Sequence, residues 1–321
     1  MVLKIGGNTY MDFSGVFAQM EVIVLVIMLG YIGARLGVMN EDTNTHLSKM
    51  VLNITLPCSI LYSVFKNERL LNNVQTLLLT VVAFLTVAVM IGFAVILVRL
   101  MRIPHGLAGV TKYMLIFTNS AFLGFPVIRA ILGTNAVFYA AVINMAFYLM
   151  CYTYGIILVS DDKEKAHFHF KDILTPIIIA SLVSYVFYFL DIKMPSFVTN
   201  VLQAMDNVTS PLSLITIGCS LASVALKNVM KPWKVYLAVL IRMIIFPVAY
   251  YYMMSLFIDN KLILSVATII TAMPAPAGTA MLCASYGGEE SVKVASATVF
   301  LSTLISVVSI PLLSYFLLNV S

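Results

Sequence analysis

The residues of this 321-residue chain that could do chemistry are few, and no catalytic constellation joins them. No H-E-x-x-H, G-x-S-x-G or G-x-x-x-x-G-K-S/T pattern occurs, so nothing supports catalysis or ATP binding. Cys58, Cys151, Cys219 and Cys283 are scattered through apolar stretches, with no C-x-x-C and no nearby histidine partner. They read as inert buried thiols rather than a disulfide frame or metal site. His167 and His169 sit two apart, a spacing that can hold a metal, but their charged surroundings read as a solvated loop. No enzyme activity, cofactor or metal is therefore expected. What remains is a set of polar residues stranded inside apolar runs, whose chemistry is hydrogen bonding and charge.

Two of these runs also carry helix breakers. One reads Thr118-Asn119-Ser120-Ala121-Phe122-Leu123-Gly124-Phe125-Pro126, the other Met273-Pro274-Ala275-Pro276-Ala277-Gly278-Thr279. A proline inside a helix removes one hydrogen bond and crowds the preceding turn. In hydrocarbon the freed backbone groups must find partners, so irregular chain is tolerated only inside protein or beside water. If the two breaks cross, half-helix N-termini near Gly124 and Gly278 project N–H groups and partial positive charge into the centre, which suits a carboxylate. A third place is the pair Asn53-Ile-Thr55-Leu-Pro57 and Asn207-Val-Thr209-Ser-Pro211. Asn53 and Pro57 share a helix face, as do Asn207 and Pro211. Their amides either bond a substrate or cap backbone freed by the proline. Asp206 is a candidate ion-coupling site for a proton or cation. Arg242 lies deep in its run and needs a carbonyl, a water path or Asp206 as partner; it serves structural pairing or anion attraction.

The elements that position these residues follow from composition. Hydrophobic residues make up 61% of the chain and charged residues 10%, with a mean hydropathy of +1.00. A soluble domain carries about 25% charged residues, so most of this surface must face lipid. Runs long enough to cross a bilayer, roughly 20 residues each, fall at about 14–36, 47–65, 74–98, 107–131, 135–159, 172–190, 196–226, 233–257, 262–286 and 290–318. This predicts an all-α, multi-pass integral membrane protein with about ten transmembrane helices in the cell membrane. Residues 1–159 form one half, 160–171 a cytoplasmic linker and 172–321 the second half. The first run lacks a small-residue cleavage site and reads as a retained helix rather than a signal peptide. The net charge of +5 is modest, and no basic run points to nucleic acid.

The halves resemble each other. N-x-T-x-P-x-S occurs from Asn53 and again from Asn207, an offset of 154 residues that also carries Gly124 onto Gly278 and Gly133 onto Gly287. Five helices per half is an odd number, so the second half enters the membrane from the opposite side and the repeats are inverted, as in many secondary transporters. Arg35, Lys49, Arg99, Arg102, Lys112, Lys163, Lys165, Lys171, Lys227, Lys231, Lys234 and Lys293 fall on one set of sides. Lys4, Lys66, Arg69, Arg129, Lys193 and Lys261 fall on the other. The richer set belongs in the cytoplasm, with both termini outside.

At these residues the sequence resembles the auxin efflux carrier family, the bacterial relatives of plant auxin exporters. The matching pieces are Leu56-Pro57-Cys58, Asn119 through Gly124-Phe125-Pro126, Gly133, and Pro211 with Ile217-Gly218 and Leu221. Further on they are Arg242 with Pro247, Met273-Pro274 with Gly278, and Leu301-Ser302-Thr303-Leu304-Ile305-Ser306 followed by Pro311-Leu312. The resemblance covers nearly the whole chain. It implies two inverted five-helix repeats, with helices four and nine crossing at prolines. One bundle would form a scaffold and the other would move as an elevator carrying an organic anion. An asparagine matching Asn119 contacts the substrate carboxylate in the plant members, and Pro57 and Pro274 lie where those carriers line the pocket. The chain departs from them at Thr175-Pro176, where they have Asn-Pro, and at Gln75-Thr76, where they have an acid and a lysine. Auxin itself is therefore not implied.

The expected function is a secondary carrier for a small organic anion, a dicarboxylate or an aromatic acid, working by elevator-type alternating access. Its substrate site would draw on Asn119, Ser120, Gly124, Pro126, Asn53, Pro57, Asn207, Pro211, Pro274, Pro276 and Gly278. The alternative is a cation or proton exchanger of similar architecture using Asp206. The expected partners are the substrate and the lipid bilayer, with a homodimer left open.

Overall fold

The structure, a computed structural model, describes residues 3–4, 10–11, 13–65, 71–160, 174–223 and 232–319. The His167 and His169 stretch lies outside them. Helix α1 (Phe13–Arg35) is followed by α2 (Glu41–Met50), which runs through a π-helical turn (Val51–Thr55) into α3 (Leu56–Phe65). Next come α4 (Asn73–Leu100), α5 (His105–Ile116), a second π turn (Ser120–Gly124) and α6 (Phe125–Leu132). Helix α7 (Asn135–Met150) passes through a third π turn (Cys151–Gly155) into α8 (Ile156–Val159). The second half holds α9 (Pro176–Leu190), α10 (Ser196–Ala222), α11 (Trp233–Ser255), α12 (Lys261–Ala272), α13 (Thr279–Tyr286) and α14 (Glu289–Asn319). A two-residue antiparallel pairing of Leu3–Lys4 with Tyr10–Met11 is the one sheet among the described residues.

The fold is that of a helical, multi-pass membrane protein. Seven helical stretches are long and apolar enough to cross a bilayer: 18–35, 41–65, 73–100, 105–132, 135–159, 233–255 and 289–317. The other three expected runs differ for visible reasons. Helix α9 has 15 residues and α12 has 12, the latter stopped by Pro274 and Pro276. Helix α10, at 27 residues, has the length to cross but carries Asn200, Gln203, Asp206 and Asn207. Large apolar side chains face outward along the long helices, among them Leu29, Val74, Leu77 and Ile96, each more than half exposed. Such a surface is costly in water and natural in lipid. Trp233 is exposed at the start of α11, as an interfacial anchor is.

With lipid outside, burying apolar surface gives helices little reason to associate, and close backbone packing through small residues takes over. Helices α1 and α10 show this most plainly. A Cβ on Gly218 would sit 2.0 Å from the Ile27 carbonyl oxygen, and one on Gly30 would sit 2.3 Å from that of Ile215. No side chain can be admitted there without parting the two backbones. Gly92 in α4 has nothing within 4 Å of the same position. Gly218→Ala is thus expected to lower the melting temperature in detergent, at an overpacking cost of about 1–3 kcal/mol. Gly92→Ala should leave it unchanged or raise it slightly. Differential scanning fluorimetry of the purified variants makes the comparison.

Candidate functional site

Proline chemistry sets the local geometry. Pro57 has no N–H to offer Asn53, and its ring crowds that carbonyl. The preceding turn opens in response: the Leu56 N–H donates to the Val51 carbonyl, five residues back rather than four. The same happens before Pro126, where the Phe125 N–H donates to Ser120. Neither proline therefore makes a break at its own position. The chain breaks upstream of Pro126, at Phe117 to Asn119, where Phe117 is extended (φ −93°, ψ 151°). Pro211 lies inside an uninterrupted α10, so the second Asn-x-Thr-x-Pro segment, unlike the first, distorts nothing. The other break falls where expected: α12 ends at Ala272, Met273 is extended, and α13 starts at Thr279.

The two breaks meet. The Asn119 N–H donates to the Pro274 carbonyl at 2.8 Å. A Cβ on Gly124 would stand 3.4 Å from Met273 Cγ and 3.2 Å from Ser120 Cβ, so this glycine is the point of close approach rather than a helix start. Ser302 Oγ accepts from the Ala275 N–H at 3.2 Å, and Thr279 Oγ1 donates to the Pro276 carbonyl at 2.6 Å. Arg242, fully buried on α11, donates through Nη1 to the Met273 carbonyl at the end of α12.

Beside the meeting point lies a cavity of about 230 Å³. Its polar wall is Asn53, Thr118, Asn119, Ser120 and Thr175, with Pro276, Ala277 and Gly278 from the second break. Its apolar wall is largely aromatic: Tyr113, Phe117, Phe122, Phe147, Tyr148 and Tyr152, with Leu52, Ala121, Cys151 and Ile177. All three π turns contribute to it, and such turns gather at functional sites. Asn119 is 3% exposed, yet its Nδ2 has no hydrogen-bond partner, and neither does Thr118 Oγ1. The helix that starts at Ser120 directs its first N–H groups, which have no intrahelical acceptor, to the same end. Among the described residues, no Asp, Glu, Lys or Arg lines the cavity.

Of the residues singled out from sequence, Asn53, Asn119, Ser120, Pro276 and Gly278 line this cavity, whereas Pro57, Gly124, Pro126 and Pro274 are buried behind it. Asn207 and Pro211 are exposed on α10 and do not line it. Asp206 accepts hydrogen bonds from Ser59 Oγ at 2.6 Å and from Arg129, with which it forms a partly buried ion pair. Arg129, counted among loop charges on sequence grounds, instead sits in α6 and reaches α10, because Asp206 gives it a partner there. The aromatic wall was missed. Its one trace in the sequence is the run Phe147-Tyr148-Leu149-Met150-Cys151-Tyr152, which the third π turn bends toward the cavity. Cys151 is only partly buried and lies 3.2 Å from the Tyr113 hydroxyl, so it is a cavity residue rather than a hidden thiol.

Glycine substitutions separate the packing point from the open wall. Gly124→Val is expected to force the breaks apart and lower thermal stability, while Gly278→Ala, with nothing within 4 Å of its Cβ position, should fold as the parent does. Melting curves of both variants check this.

A family model described as "Membrane transport protein" matches residues 16–314. An uncharacterized transporter of Methanocaldococcus jannaschii is 24% identical over 307 residues, covering 93% of this chain and 97% of that protein. An uncharacterized transporter of Methanothermobacter thermautotrophicus is 24% identical over 308 residues, covering 95% of this chain and 99% of its own. With helix breaks meeting beside a cavity in an apolar helical protein, and the match running almost end to end, the chain belongs to the membrane transport protein family, that of the auxin efflux carriers.

Proposed function

We propose that this protein is a gradient-driven carrier of small organic anions across the cell membrane, and that it works by alternating access of the elevator type. The observation that carries this reading is the unpaired, buried Asn119 Nδ2 at a helix start, on a residue that lines a cavity with no acidic lining residue among the described residues. A carboxylate takes hydrogen bonds from such an amide and from the first N–H groups of the helix, where the dipole also favours negative charge. The aromatic wall then covers an apolar body. At about 30 Å³ per water, the space corresponds to roughly eight waters, the scale of a small organic acid.

Helix bounds support ten crossings in two inverted repeats. The offset of 154 residues found in sequence carries Phe125–Leu132 onto Thr279–Tyr286, the bounds of α6 and α13, and carries Asn135 onto Glu289, the first residues of α7 and α14. In this reading residues 1–159 and 172–321 are the repeats, the broken fourth and ninth helices cross at Asn119 and Pro274, and both termini face outward. Packing supports two bodies. Helix α1 packs on α10, and α3 on α9 and α10, while α4 packs on α7 and α14 on α11 and α13; the two groups touch where α7 meets α3 and α9 and where α1 meets α14. Leu52, Asn53, Thr175 and Ile177 come to the cavity from the first group and the other lining residues from elsewhere, so the substrate would sit where an elevator slides.

The second reading, a cation or proton exchanger, takes its support from the buried Asp206 carboxylate. Arg129 already neutralises that charge, so a cation would have to displace a guanidinium.

Two variants test these readings by counterflow of labelled carboxylates in proteoliposomes. Asn119→Ala should weaken binding by about tenfold or more, the worth of a hydrogen bond to a charged group, with no loss of thermal stability; unchanged affinity removes Asn119 from the site. Asp206→Asn should leave the pH dependence of transport as it is in the parent, and its disappearance would favour the exchanger.

A further inference from the structure

Arg242 and Asp206 are the buried members of the Asp, Glu, Lys and Arg set among the described residues. Asp206 has Arg129 as counter-ion. Arg242 has none: one guanidinium nitrogen donates to the Met273 carbonyl, while Nε and Nη2 have no partner, and the side chain is 0% exposed. A guanidinium keeps its proton in such surroundings, and an uncompensated buried charge is among the most costly things a membrane protein can hold. Securing the end of α12 needs only a neutral donor. The charge itself is left without a structural use.

Its position supplies one. The Met273 carbonyl that it holds precedes Pro274, whose own carbonyl accepts from Asn119, and Asn119 and Pro276 line the cavity. By this bonded path the guanidinium lies about 10 Å or less from the Asn119 backbone N–H. No lining residue among the described ones carries charge. We infer that Arg242, without touching the substrate, sets the preference of the cavity for anions by supplying the buried positive charge that an occupying carboxylate neutralises. The inference rests on the carboxylate reading above and goes beyond it by placing charge selection on a residue outside the cavity wall. Across about 10 Å at an effective dielectric constant of about 20, one charge favours a carboxylate over a neutral isostere by about tenfold.

The test compares carboxylates with their primary amides (benzoate with benzamide, phenylacetate with phenylacetamide, succinate with succinamide) by ligand-induced thermal shift and competition in the purified full chain. In the parent at least one carboxylate should bind more tightly than its amide. In Arg242→Gln, which keeps a donor for Met273, carboxylate affinity should fall about tenfold while amide affinity holds. In Arg242→Lys, which keeps the charge, the preference should persist. Equal loss of acid and amide in Arg242→Gln, or a preference that survives there, overturns this inference alone. Should Arg242→Gln fail to fold, loss of the preference in folded Arg242→Lys overturns it. Absence of any carboxylate preference in the parent overturns the anion reading as well.

Discussion

Backbone N–H and C=O groups freed inside a bilayer must be satisfied by the protein itself, because hydrocarbon offers no substitute. Two stretches of non-helical chain, Phe117 to Asn119 and Met273 to Gly278, are satisfied by one another and by side chains of neighbouring helices. Asn119 donates to Pro274, Ser302 accepts from Ala275, and Arg242 holds the Met273 carbonyl. Once this exchange is in place, the helix that starts at Ser120 has its N-terminal groups free beside a void. The cavity is therefore a by-product of how the two breaks satisfy one another.

The π turns are a milder form of the same adjustment. Pro57 and Pro126 each leave a carbonyl without its donor, and widening the turn before each lets the helix continue without a full break. A widened turn also rotates the residues it contains relative to a regular helix. That rotation brings Asn53, Ser120 and Phe122 to one cavity, and the third turn does likewise for Cys151 and Tyr152. Gly155, which ends that third turn, leaves room for the Phe117 and Tyr113 rings, each with an atom 3.0 Å from where its Cβ would be. Local backbone chemistry and the shape of the aromatic wall are thus linked.

Charge is distributed in a way that separates two tasks. Arg129 and Asp206 neutralise each other while tying α6 to α10, with Ser59 of α3 as a third member. Among the described residues the cavity wall itself is neutral, and its polarity comes from amides, hydroxyls and helix ends. Arrangements of this kind favour a weakly held solute that can leave again, since no direct ion pair has to be broken on release.

Much of this was legible in the chain itself. Composition alone requires lipid around the helices, and the positions of the apolar runs agree with the observed helices to within a few residues at most ends. The second break was readable from Pro274 and Pro276, because two prolines so close leave no helical alternative. Tertiary structure decided the rest. Pro57, Pro126 and Pro211 look alike in sequence, yet one bends a helix into a π turn, one does so downstream of a true break, and one sits in an uninterrupted helix. The outcome depends on which neighbours can accept or supply the orphaned hydrogen bond, and those neighbours come from distant parts of the chain. The same holds for Asn53 and Asn207, identical in motif, of which one faces the cavity and the other does not. Arg129 found Asp206 across 77 residues of sequence. Pairing of buried groups is a property of three-dimensional proximity, so residue type could announce the need for partners but not name them.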